Sequence, residues 1–137
     1  MNAQLFKQVE QLAEALISAA DRDDETVFYQ LYDQLKSLCE QHVGKKSDHP
    51  LFLETLADFT DDSVTAVDYY QRAFLIADSL KENEYKASIQ FSLAQRLIEL
   101  DQIGEAKAVL VKAEKFASFT EDDVLKKEIA ELHQTVI

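Results

Sequence analysis

Ala66-Val67-Asp68-Tyr69-Tyr70-Gln71-Arg72-Ala73 and Ala106-Lys107-Ala108-Val109-Leu110-Val111-Lys112-Ala113 share one arrangement. In each, an Ala is followed four residues on by a bulky apolar side chain, Tyr70 or Leu110, and three residues later by a second Ala. On a helix these positions fall on one face. The methyl groups let a neighbouring helix approach closely, and the large side chain plugs the gap between helices. A short unit that recurs, and that needs its neighbour for burial, marks a helical repeat.

The rest of the chain agrees with helix. Its 137 residues suffice for one domain with a proper core. Hydrophobic residues make up 47% and charged residues 29%, a globular rather than a disordered balance. With only 2 Gly and 1 Pro, the tight turns of an all-β fold have little to work with. The single cysteine, Cys39, cannot form an internal disulfide, which suits a reducing compartment. No apolar run approaches the ~20 residues needed to cross a bilayer. Met1-Asn2-Ala3-Gln4 lacks the basic and apolar regions of a secretion signal, so a cytoplasmic location is expected. A formal net charge of −12 repels nucleic acid and anionic lipid, both of which bind through Lys and Arg. The same charge attracts basic surfaces.

Apolar spacing predicts seven helices. The first spans about 2–20, with Leu5, Val9, Leu12, Leu16 and Ala20 in steps of three or four. Asp21 to Glu25 breaks the pattern, and a second helix carries Val27, Phe28, Leu31, Leu35, Leu38 and Cys39 on one side. Residues 44–48 form the main loop, Asp48 is the expected N-cap, and Pro50 opens a short third helix over about 50–59. A fourth helix carries the first Ala–Tyr–Ala block to about Leu80. A fifth, about 84–100, has two apolar faces, one with Tyr85, Ile89, Leu93, Leu97 and Leu100, the other with Phe91, Ala94 and Ile98. Two such faces place it between neighbours. Gly104 marks the next turn, and the sixth helix carries the second block. Thr120 with Asp123 three residues later has capping-box spacing before a seventh helix over about 121–135.

The two blocks resemble the second helices of tetratricopeptide repeats, whose pattern is small–bulky–small at this spacing. Leu93-Ala94 and Leu97 match the first-helix positions of that motif. The corresponding residues of the other unit are Leu53, Glu54 and Ala57, with Glu54 where the family has a small residue. Ala66 and Ala106 stand 40 residues apart. The family period is about 34 residues, a difference that longer helices accommodate. Leu12-Ala13 and Leu16 repeat the signature in the first helix, while the prolines that end each family unit are absent. The resemblance implies an all-α fold of about seven antiparallel helices, stacked as a short right-handed solenoid. Its units are 2–42 (degenerate), 49–81 and 84–117, with a capping helix at 121–135. A plain helical bundle is the alternative.

Chemical motifs are sparse. Asp21, Asp23 and Glu25 have the alternate spacing of a calcium loop's first ligands, but Thr26 and Tyr32 stand where that loop needs Gly and Glu. This cluster, Asp58 with Asp61 and Asp62, and Glu121 to Asp123 each border a helix start, where acids satisfy free N–H groups. Cys39, His42 and His49 lack the second cysteine pair of a zinc site. No phosphate-binding loop, dinucleotide fingerprint or glycine-rich oxyanion turn is present. The expectation is therefore a chain with no catalytic residue, cofactor or metal site, and a metal-binding or enzymatic helical bundle is the minor alternative.

A partner is expected on the concave surface lined by first helices. Carrying the family's groove positions across gives Leu51, Thr55, Asp58 and Phe59 on the third helix, and Phe91, Gln95, Ile98 and Glu99 on the fifth. Glu10, Glu14 and Ile17 extend this surface along the first helix. The Lys and Asn clamp by which some family members hold acidic tails is absent, since Leu51, Thr55, Phe91 and Gln95 occupy its places. The expected function is capture of a peptide or basic protein in an apolar, acidic-rimmed groove. A narrower alternative is a dedicated bacterial immunity protein or secretion chaperone that neutralises one basic partner. Self-association stays open, because a short solenoid exposes apolar ends. Among the aromatics, Tyr70 is expected between helices, with Phe52, Phe59, Phe91 and Phe119 as candidates for partial exposure.

Overall fold

A computed structural model describes residues 3–137, and within it the chain is all-α. The helices are α1 (Ala3–Asp21), α2 (Glu25–His42), α3 (Pro50–Asp58), α4 (Ser63–Ser79), α5 (Asn83–Glu99), α6 (Ile103–Ala117) and α7 (Asp123–Thr135). Asn2, where the spacing starts the first helix, lies outside the described residues. Among the described residues, no helix is long and apolar enough to cross a membrane.

Each acidic cluster supplies one N-cap. The side chain of Asp24 accepts from Val27 N–H, Asp62 from Thr65 N–H and Asp122 from Leu125 N–H, satisfying donors that a helix start leaves free. Two caps differ from expectation. Asp48 turns back into the loop, where its carboxylate accepts from Gly44 N–H and His49 N–H. The His49 imidazole then caps α3, its Nδ1 accepting from Leu51 N–H at 3.1 Å. Thr120 is not the cap of α7: its hydroxyl donates to the Ala117 carbonyl at 2.8 Å and leaves the role to Asp122.

The turn before α6 also departs from the sequence reading. Gly104 sits inside the first turn of α6, and the left-handed residue is Asp101, at φ 61°. Asp23 and Lys81 take the same conformation after α1 and α4. All three turns close alike, with Asp24 N–H on the Ala19 carbonyl, Glu82 N–H on Ala77 and Gln102 N–H on Leu97. These are the bonds of a Schellman ending.

Ala66, Ala73, Ala106 and Ala113 are each 0% exposed, with Tyr70 and Leu110 buried between them. The small–bulky–small blocks therefore face the core. The core has two parts. The first joins α1 to α4 with Ile89, Leu93 and Leu97 of α5 and Ala106 of α6; the second joins Ala87 and Ala94 of α5 to the rest of α6 and to α7. The two apolar faces of α5 thus serve two cores. Backbones of α1, α3, α5 and α7 approach one another in that order, whereas those of α2, α4 and α6 approach only helices adjacent in sequence.

Helix α3 has only nine residues, and α1, α2, α4 and α5 surround it. Its run from Phe52 to Ala57 is buried throughout. Phe52 is accordingly a core residue, while Phe119 is exposed and Phe59 and Phe91 are half-buried.

Candidate partner-binding clefts

The fifth helix brings Phe91 and Gln95 to its border with α7. There they line an open cleft of about 320 Å³ together with Glu128, Glu131, Leu132 and Thr135. Phe91 and Leu132 are half-buried against the second core, and Gln95, Glu128, Glu131 and Thr135 are exposed. The α7 residues fall three or four apart, so one face of that helix supplies all four. The cleft has apolar members at its base and two carboxylates beside them. Lys127, also on α7, stands 3.9 Å from Glu131.

The other residues expected in a groove are distributed differently. Ile98 is half-buried and packs against both cores. Glu99 is exposed, accepts from the Ser63 hydroxyl at 2.7 Å and lies 3.9 Å from Arg96. On α3, Leu51 is packed on the first core and Thr55 is buried, so neither stands free in the way Gln95 does. Phe59 packs on Phe28, with ring centroids 6.4 Å apart, and lines a separate cleft with residues of α2 and α4.

Asp58 keeps an exposed edge, but its carboxyl end is turned inward to the Tyr70 hydroxyl, which donates to Oδ1 at 2.5 Å. Desolvation raises its pKa above the usual carboxylate range, against the opposing pull of Tyr70 and Arg96. Beside it, Arg96 reaches back from α5 to the end of α3. Its guanidinium donates to the carbonyls of Thr60 at 2.7 Å and Ala57 at 3.2 Å. This arginine closes the C-terminal end of α3, whose last carbonyls lack helical partners. Glu54 is buried one turn earlier and accepts from the Ser88 hydroxyl at 2.7 Å. The Glu54 carboxylate thus crosses to α5, where Ser88 leaves room for it.

The residues weighed for metal or nucleophilic chemistry have separate partners. The Cys39 thiol donates to the Phe52 carbonyl at 3.3 Å, and burial pushes its pKa up to about 12, which suppresses the reactive thiolate. His42 Nδ1 meets the Ser47 hydroxyl at 2.5 Å. His49 packs edge-on against Phe6 and Tyr85. Among the described residues, no three His, Cys, Asp or Glu side chains are gathered where one metal ion could bind.

No protein-family model, curated protein or solved structure matches the chain. The family resemblance therefore rests on the residues alone.

The α7 half of the cleft was missed in the sequence because α7 reads as a terminal cap. Its signal was the row Glu128, Glu131, Leu132 and Thr135 on one helical face. That pattern places them together but does not say which helix faces them.

Proposed function

We propose that the chain is a non-catalytic binding module of tetratricopeptide-like construction, which takes a basic peptide segment of a partner protein in the cleft between α5 and α7. The observation that carries this reading is the cleft itself. Phe91 and Leu132 offer apolar surface to a partner side chain, and Glu128 and Glu131 stand beside it. A net charge of −12 adds long-range attraction for a basic partner and speeds encounter at low salt. A dedicated partner-neutralising role, as in an immunity protein or secretion chaperone, is the narrower form of this reading, favoured by acidic side chains exposed on every helix except α3 as well as at the cleft.

Two helical peptides of matched apolar content, one rich in Lys and Arg and one rich in Glu, test it by fluorescence anisotropy. The basic peptide should bind, and the acidic one should not. Phe91→Ala and Glu131→Lys should each weaken binding by roughly tenfold, as expected for a partly buried anchor and a reversed rim charge. Equal binding of both peptides, or affinity indifferent to both substitutions, removes the cleft from consideration.

A further inference from the structure

A second concave site lies where α2 meets the turn between α3 and α4. Tyr29, Tyr32, Phe59, Thr60, Asp61, Asp62 and Thr65 line a cleft of about 220 Å³. Its aromatic side rests on a packed base: Phe28 meets Tyr29 edge-on at 5.3 Å and Phe59 at 6.4 Å. The Tyr32 hydroxyl and the Thr60 hydroxyl, 2.8 Å apart, tie α2 to the turn. Tyr29 nevertheless stays 48% exposed.

The acidic side is equally defined. The Tyr29 hydroxyl donates to Asp61 Oδ2, which fixes that carboxylate at the mouth of the cleft. Asp61 caps no helix, and its Oδ1 has no partner among the described residues. Asp62 caps α4, accepting from the Thr65 N–H and hydroxyl, and these bonds hold its carboxyl below the usual range and therefore charged. Glu25 adds negative charge near Tyr29. The neighbouring cations are Arg96 and Lys36. Arg96 is engaged by the carbonyls of Ala57, Thr60 and Asp61, and Lys36 acts on Tyr32 from the next turn of α2.

We infer that this cleft receives the guanidinium group of an arginine side chain on a partner protein. Aromatic rings attract a cation within about 6 Å of their faces through the ring quadrupole. A planar guanidinium both stacks on such rings and fits a carboxylate with two parallel N–H donors, which an ammonium cannot do. Asp61 supplies the carboxylate, and Tyr29, Tyr32 and Phe59 supply the rings. The site shares no residue with the α5–α7 cleft, so either assignment can fail without the other.

The test is an NMR titration of the full chain with N-acetyl-arginine-amide, N-acetyl-lysine-amide and sodium chloride at matched ionic strength. Ring signals of Tyr29, Tyr32 and Phe59 should move with arginine and saturate in the millimolar range, with lysine at least about threefold weaker. Asp61→Asn and Tyr29→Leu, both at exposed positions, should each weaken arginine binding about fivefold or more with unchanged circular dichroism. Glu131→Lys, in the other cleft, should leave it unaltered. Shifts equal to those from sodium chloride, lysine binding as tightly as arginine, or affinity indifferent to both Asp61→Asn and Tyr29→Leu overturn the inference. Concentration-dependent shifts of the same rings without added ligand would assign the cleft to a second copy of this chain instead, and would also overturn it.

Discussion

Glu54 stands where the repeat motif has a small residue, and its carboxyl is buried against Ser88. Desolvation pushes its pKa up to about 7 from an ordinary 4.5, with Asp58 raising it further and the Ser88 hydroxyl opposing. The folded state then holds this proton more tightly than the unfolded chain. Its contribution to stability is complete below pH 4.5 and is lost as pH rises through about 7. His49 acts in the opposite direction. Burial lowers its pKa, and its Nδ1 must be unprotonated to accept from Leu51 N–H, so its contribution is present above its unfolded pKa and lost as pH falls. A difference experiment separates the two. Glu54→Gln keeps the side-chain shape and an oxygen for Ser88. The variant should gain stability over the parent by an amount that grows between pH 5 and pH 8, reaching about 1–3 kcal/mol. Urea unfolding at both pH values reads this directly, and parallel profiles for the two proteins would mean that Glu54 ionises as it does in water.

At the scale of elements, the three left-handed turn residues are unequal. Asp23 and Asp101 have short polar side chains that tolerate the left-handed region, whereas Lys81, at φ 57°, does not. Lys81→Gly should stabilise the fold by about 0.5–1 kcal/mol, because the Cβ penalty outweighs the extra entropy of glycine in the unfolded chain. A thermal or urea midpoint that falls on substitution would show that the Lys81 side chain has a role of its own. The same turns explain what the sequence conceals. Helix existence is legible because apolar side chains recur every three or four residues over long stretches, and the Ala blocks mark the closest crossings. Turn positions are less so, since Gly104 advertises a break while Asp101 makes it. Caps shift by one residue where neighbouring polar groups compete, as Asp48 and His49 do. The clefts are barely legible at all. Phe91 and Gln95 can be placed on one face of α5 by spacing, but pairing that face with α7 requires the tertiary fold. Tyr29 and Asp61, brought together from positions 32 residues apart, share no local signal.

At the scale of the whole molecule, the two cores meet along α5 and at the start of α6, where Ala106 belongs to the first core and Val109 packs on both, so damage to one should spread unevenly. Ile129 is 0% exposed and anchors α7 in the second core with Leu110 and Ala117. Ile129→Ala removes buried methyl groups and leaves a cavity, at a cost of about 2–5 kcal/mol if α7 stays docked. The backbone of α7 approaches only α5 and α6, so undocking it can relieve that cost without disturbing α1 to α4. If the chain has the repeat construction proposed for it, local opening takes the place of global unfolding. Native-state hydrogen exchange should therefore show α7 amides losing protection in Ile129→Ala and α6 amides losing part of theirs. The amides of α3, enclosed by α1, α2, α4 and α5, should keep nearly all of theirs. Basic-peptide binding in the α5–α7 cleft should weaken in the same variant, since Glu128, Glu131 and Leu132 move with α7. Arginine binding at Tyr29 and Asp61 should persist. Uniform loss of protection across all seven helices would instead mean that both cores unfold as one cooperative unit, and the stacked-unit description would give way to that of a single bundle.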